Sequence, residues 1–171
     1  QHLYLVNIQT KEVVQLTDSK KHDEYGPTWS PDGNNIAYFS NLSEQPDLNP
    51  DEIQLCVMDV ATRKVTVVET PVGRKALASF SPSGESIAYV GAEGLNVDYK
   101  NNEIWVVDLA RSGSARSLTA AYDFDVCGGV INDIGSVIAV PPVWKKDGSG
   151  FFFQVGRHGR TSLHTDRKST R

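Results

Sequence analysis

Trp29-Ser30-Pro31-Asp32-Gly33 closes one extended stretch and leads, two residues later, into Ile36-Ala37-Tyr38-Phe39. The device returns as Phe80-Ser81-Pro82-Ser83-Gly84 ahead of Ile87-Ala88-Tyr89. It returns again, altered, as Trp144-Lys145-Lys146-Asp147-Gly148 ahead of Phe151-Phe152-Phe153. Proline fixes φ near the value a turn needs and has no N–H for a following strand, while glycine accepts positive φ. Each copy therefore predicts a strand, a tight turn and a second strand. In the second strand, Ile36 and Tyr38 share one face of the extended chain.

A further strand pair completes each unit. Leu55-Cys56-Val57-Met58-Asp59 precedes Lys64-Val65-Thr66-Val67-Val68, and Ile104-Trp105-Val106-Val107-Asp108 precedes Ala115-Arg116-Ser117-Leu118. Asp59 and Asp108 open the linking turns, as Asn7 does after Leu3-Tyr4-Leu5-Val6, because a short polar side chain can hydrogen-bond backbone two residues on. The turn aromatics at 29, 80 and 144 are spaced by 51 and 64 residues; the turn Asp or Asn at 7, 59, 108 and 166 are spaced by 52, 49 and 58. A period of roughly 40 to 50 residues with four strands per unit is the spacing of a β-propeller blade.

The expected fold is all-β: a partial β-propeller of about three to three and a half four-stranded antiparallel blades. Half a blade is expected at 1–25 and blades at 26–70 and 77–119. At 120–171 a blade is expected that carries an insertion between Tyr122 and Val140 and an incomplete end. Because closed propellers need about four to eight blades, and both ends fall inside a unit, the sequence reads as an excerpt of a ring. In the last unit Leu163 precedes Asp166 by three residues, whereas Leu55 precedes Asp59 by four. A one-residue slip reverses strand faces, so residues 164–171 are expected to depart from the repeat.

The Trp29 to Tyr38 pattern with Leu55 to Asp59 resembles the repeat shared by TolB and the propellers of prolyl oligopeptidase-type serine peptidases. Glu103 to Leu109 and Phe151 to Leu163 look most like acylaminoacyl-peptidase-like members. The resemblance implies a non-catalytic propeller beside an α/β-hydrolase domain that carries the catalytic Ser, Asp and His, with small peptides passing between them. The alternative is a TolB-like protein-binding scaffold with no hydrolase attached. Partners implied are thus the hydrolase domain and peptides in transit, with self-association through open blade edges as a further expectation. A cytoplasmic location is expected, or a periplasmic one for the scaffold.

The residues themselves offer little catalytic chemistry. No G-x-S-x-G elbow occurs, and His2, His22, His158 and His164 read as surface histidines. No catalytic, cofactor-binding or metal-binding residue is assigned, and no cofactor is expected. Asp47-Leu48-Asn49-Pro50-Asp51-Glu52 alternates oxygen ligands but lacks the glycine and distant bidentate Glu of a calcium loop. His22-Asp23-Glu24 offers three ligands on consecutive residues, which rarely converge on one ion. Asn41-Leu42-Ser43 matches a glycosylation pattern by chance, and Cys127-Gly128-Gly129 reads as a turn. Arg157, His158 and Arg160 form a basic hairpin tip suited to carboxylate contact but expected to be solvated. Trp29, Phe80, Trp105, Trp144 and Phe151 to Phe153 are expected to pack between blades. Cys56 and Cys127 are expected as free thiols, with a disulfide left open. Net charge −4 and a pI near 5.5 give no broad basic field, so nucleic acid is not expected as a partner. Neither is a membrane, since no apolar run reaches about 18 residues.

Overall fold

The computed structural model describes residues 1–127 and 138–165. Among them are thirteen strands and no helix. Strands β1 (Tyr4–Val6) and β2 (Val13–Gln15) form a two-stranded sheet. Strands β3 (Glu24–Trp29), β4 (Asn35–Asn41), β5 (Ile53–Asp59) and β6 (Val65–Val68) form a four-stranded sheet in chain order. A second such sheet holds β7 (Gly73–Phe80), β8 (Ser86–Glu93), β9 (Glu103–Asp108) and β10 (Arg116–Ser117). Strands β11 (Val143–Trp144), β12 (Phe151–Arg157) and β13 (Arg160–Thr165) form a third sheet of three. Every ladder is antiparallel. The architecture is a partial propeller, as the repeat predicts.

The repeat turns are built alike. Ser30 N–H donates to Asn35 O at 2.9 Å and Gly33 N–H to Ser30 O at 3.0 Å; Ser81 and Gly84 repeat both bonds at 2.8 and 2.9 Å, and Lys145 and Gly148 repeat them at 2.8 and 2.9 Å. Gly33, Gly84 and Gly148 have φ of 73°, 76° and 67°, the left-handed region that glycine enters without a Cβ clash. The outer turns also follow the sequence reading: Asn7 Oδ1 accepts from Gln9 N–H and Asp108 Oδ1 from Ala110 N–H, whereas Asp59 Oδ1 reaches Thr62, three residues on. Asp166 and residues 167–171 lie outside the described residues.

One feature of the inner strands was not foreseen. Pairing of β3 with β4 shifts by one residue between Tyr25 and Thr28, and pairing of β7 with β8 shifts between Ala76 and Ser79. The bulged residues are Gly26, φ 62°, and Leu77, φ 57°, at the same repeat position 51 residues apart. The third unit has Pro141-Pro142 here, and proline can neither take positive φ nor donate to a ladder. Strand β11 is accordingly only two residues long.

Three apolar layers fill the spaces between sheets. Phe39, Leu55, Phe80, Ile87, Tyr89, Trp105 and Val107 lie between the two four-stranded sheets. Val90, Ile104, Val126, Phe151, Phe153 and Val155 join the second of these to the third. Leu3, Tyr38, Cys56 and Met58 join the first pair of strands to β4 and β5. Because β4 and β8 are covered on both faces, Ile36 to Phe39 and Ile87 to Val90 are all buried. Two of the expected packing aromatics are corrected. Trp29 is 48% exposed, since the sheet preceding β3 presents only β1 and β2. Phe152 is exposed because it alternates with the buried Phe151 and Phe153 along an extended strand, and Lys145 Nζ sits 5.8 Å from its ring centre. Cys56 is buried and Cys127 half-buried, both as free thiols.

Candidate functional site

Antiparallel sheets send alternate connections to opposite faces of the ring. The short turns 30–34, 60–64, 81–85, 109–115 and 145–150 share one face. The longer connections 42–52, 94–102 and 118–127, the starts of β3 and β7, and the β12–β13 tip share the other. Almost every segment singled out for chemistry falls on this second face: Asp47 to Glu52, His22 to Glu24, Cys127 and Arg157 to Arg160. Longer loops on a rigid β-scaffold are where binding residues concentrate.

Hydrogen bonds tie these loops across sheet boundaries. Asn96 N–H donates to Asp51 Oδ2 at 2.7 Å, and Glu52 forms a parallel bridge with Gly73. Arg74 donates through Nε to Asn102 Oδ1 at 3.1 Å, through Nη1 to Val97 O at 3.2 Å and Asp98 Oδ1 at 3.3 Å, and through Nη2 to Lys100 O at 2.6 Å. Asn102 Nδ2 then donates to Asp125 Oδ1 at 3.2 Å, which also accepts Cys127 N–H at 2.9 Å. The guanidinium thus holds the whole 94–102 connection, a task its planar fork suits better than an ammonium would.

Two buried charges occupy this face. Lys75 is 4% exposed, and its Nζ donates to Ile53 O at 2.8 Å and Gly73 O at 3.0 Å. Burial lowers its pKa to about 8. Glu24 is 6% exposed; its Oε2 accepts the Thr17 hydroxyl at 3.0 Å and lies 3.0 Å from His2 Nδ1. Both residues stand five before the turn aromatic, and both reach back to the preceding sheet. This role was missed in the sequence; aligning the repeats five residues upstream of Trp29 and Phe80 would have shown ionisable residues at one inner-strand position. Nearby, burial raises Tyr25 to about 12 and Cys56 to about 11, and it lifts Tyr38 and Tyr89 further.

The candidate ligand sets do not converge. His22 lies 3.3 Å from Ser19 Oγ and 3.3 Å from Ser43 O, while Glu24 turns inward toward Thr17. Among the described residues no group of three His, Cys, Asp or Glu side chains is placed to hold a metal ion. Asn41 Nδ2 is engaged with Asn49 O at 2.5 Å. Ser162 Oγ lies 2.9 Å from His164 Nε2, and that imidazole otherwise packs against Phe124 and Phe153. No carboxylate orients it among the described residues, and a nucleophilic serine needs that third group. Arg157 and Arg160 pair across the exposed two-residue turn His158-Gly159, whose φ values of 50° and 71° are both positive. Gly128 and Gly129 lie outside the described residues.

No family model matches the chain. It is 26% identical over 140 residues to dipeptidyl-peptidase 5 of Porphyromonas gingivalis, a match that covers 80% of this chain and 18% of that protein. Its fold superposes on TolB from Acinetobacter baumannii with TM-score 0.68 and 22% identity, covering 99% of this chain and 35% of that one. Oligogalacturonate lyase from Vibrio parahaemolyticus gives TM-score 0.73 and 16% identity, covering 98% and 42%. The chain thus spans less than half the length of each of these proteins. Sequence repeat, sheet order and these superpositions agree on the fold: the described residues form part of a β-propeller, similar in fold to that of TolB.

Proposed function

We propose that the chain is a non-catalytic propeller segment of a prolyl oligopeptidase-type serine peptidase, similar to the acylaminoacyl-peptidases. It lies against an α/β-hydrolase domain and restricts access to that domain to small peptides. The observation that carries this reading is the 26% identity to dipeptidyl-peptidase 5 across 80% of the chain. The cross-linked loop face supports it, because a surface fixed by Arg74, Asp51 and Asn102 is preorganised for docking. The physical logic is steric, since a narrow passage excludes folded proteins from the nucleophile. The purified chain is expected to leave acyl-peptide chromogenic substrates intact. Turnover that a serine-directed inhibitor abolishes would overturn the assignment.

A TolB-like binding scaffold is the second reading, favoured by the superposition on TolB over 99% of the chain. The coding sequence beyond Arg171 separates the two. A G-x-S-x-G elbow there favours the peptidase, and further repeats followed by a stop codon favour the scaffold.

A further inference from the structure

Strand β1 carries the whole third-strand pattern of the repeat: Leu3-Tyr4-Leu5-Val6-Asn7 aligns with Leu55-Cys56-Val57-Met58-Asp59 and Ile104-Trp105-Val106-Val107-Asp108. Among the described residues β1 nevertheless pairs with β2 alone, so its inner edge is open. Asn7 N–H donates to Glu12 O at 2.9 Å and Leu16 N–H to Leu3 O at 2.8 Å, so residues 3, 5 and 7 bond to β2. Tyr4 and Val6 therefore turn backbone N–H and C=O toward the open edge. Their side chains are 55% and 51% exposed, although Cys56, Met58, Trp105 and Val107 at the same positions are buried. Beside this edge a cavity of about 550 Å³ opens against Gly26, Trp29 and Ile36.

Strand β12 has the reverse deficit. It is a full second strand, but its third strand departs from the pattern: Leu163-His164-Thr165-Asp166 sets polar residues where β1, β5 and β9 carry apolar ones. The register Gln154↔Leu163 matches Phe39↔Leu55 and Val90↔Ile104. Leu163 thus stands where Leu55 and Ile104 are fully buried, yet it is 72% exposed, as is the rest of β13 in lesser or similar degree. Phe152, at the place of Ala37 and Ala88, is exposed on the same face.

We propose that two copies of the chain close a six-bladed ring head to tail, β1 and β2 of each copy completing the third sheet of the other. Strand β12 then pairs with β1 in place of β13, in the register of the complete sheets, with Leu5 opposite Phe152 and Leu3 opposite Gln154. That register turns Tyr4 and Val6 onto the face of Phe151 and Phe153, against the second sheet of the other copy, as Trp105 and Val107 lie against the first. Phe152 closes over Trp29 and the cavity beside it, as Ala37 packs with Phe80 between the complete sheets. Strand number selects a second copy as the occupant. Strands β1 to β12 make up three four-stranded blades, and closed propellers hold about four to eight, so one copy falls short, three exceed the range and two fit it. The contact is heterologous and closes after two steps. It belongs to this chain by itself and does not depend on the peptidase reading.

Sedimentation equilibrium over a concentration series, after incubation long enough for β13 to exchange, is expected to give the mass of two chains. Tyr4→Pro removes an outward N–H and leaves the β2 ladder intact, and is expected to raise the dissociation constant by about tenfold or more. Deleting residues 160–171 removes the competing strand and is expected to keep the dimer or tighten it. Leu5→Cys chains mixed with Phe152→Cys chains, both carrying Cys127→Ser, should form a disulfide between chains on oxidation, because the two residues would face each other as a closely spaced cross-strand pair. Val67→Cys in place of Phe152→Cys should not. Should Tyr4→Pro lose its far-ultraviolet β signal, the deletion and the cross-link carry the test. A chain that stays monomeric to its solubility limit, or assembles in any other number, overturns the proposal. So does a folded Tyr4→Pro dimer of unchanged affinity, a dimer that the deletion dissociates, or cross-linking no better than with Val67→Cys.

Discussion

Glu24 and Lys75 hold the same position in successive repeats, five residues before the turn aromatic, and each spans the boundary to the sheet before it. Opposite charges do the same geometric work because their acceptors and donors differ. Glu24 meets a hydroxyl and an imidazole, and Lys75 meets two carbonyls.

Lys75 makes stability rise with pH over a defined window. Its folded pKa, about 8, lies below the ordinary 10.5, so between those values the unfolded chain binds more protons. Stability therefore increases as pH climbs from about 8 toward 10.5, by up to about 3 kcal/mol. Cys56 works in the opposite sense. Its thiol is raised from 9.0 to about 11, so above pH 9 the unfolded state gains by losing that proton. The net rise is expected between pH 8 and 9, with a plateau to about pH 10 and a fall above it, where Tyr25, Tyr38 and Tyr89, raised by burial, lose their protons first in the unfolded chain. Urea unfolding across this range should show it, and Lys75→Met should abolish the rise; an unchanged slope in that variant would sink the assignment.

Trp29 and Phe80 are equivalent in sequence and unequal in burial. Phe80 is 9% exposed within the layer between the complete sheets, while Trp29 is 48% exposed beside β1. Phe80→Ala is expected to cost about 3 to 4 kcal/mol and Trp29→Ala about 1 or less. Equal losses in chemical denaturation would contradict the packing described.

Turns, period and strand identity were legible because each rests on local chemistry: the proline φ, the glycine at positive φ and the Asp or Asn that caps an outer turn. Strand ends were less so. Residues Ser40, Asn41 and Val90 to Glu93 extend β4 and β8 through cross-strand bonds that no local preference announces. The cross-sheet roles of Glu24, Lys75 and Arg74 depend on which sheet comes to lie beside each inner strand. Within Lys20 to Glu24, a buried carboxylate looks like any solvated charge. Phe152 was misread because three successive aromatics suggest a core, whereas a strand turns the middle one outward.

The inner-strand bulge predicts different responses at Gly26 and Leu77. Gly26→Ala places a Cβ at positive φ and 3.4 Å from the Phe39 ring, and is expected to cost about 1 kcal/mol. Leu77→Gly loses packing at the second layer but releases about 1 kcal/mol of left-handed strain. Its net cost should therefore fall below the about 3 kcal/mol of a buried leucine truncation. Denaturation midpoints of both variants check this, and a stabilised Gly26→Ala would remove the bulge from the account.

Arg74 should govern the order of the loop face more than global stability. Its guanidinium engages Val97 O, Lys100 O, Asn102 Oδ1 and Asp98 Oδ1, so Arg74→Ala removes this donor from Lys100 O and from two side-chain oxygens, while Val97 O keeps the Lys100 N–H. Local opening frees only the segments whose contacts are lost. Amide hydrogen exchange is therefore expected to quicken within 94–102 and at Cys127, whose N–H rests on Asp125 through the same network, and to stay slow in β4 and β8. Arg74→Lys should fall between, since an ammonium supplies charge without the planar fork. Exchange that is unaltered within 94–102 would mean the connection is ordered by Lys100, which donates to Glu93 O at 3.0 Å, and by its own turns instead.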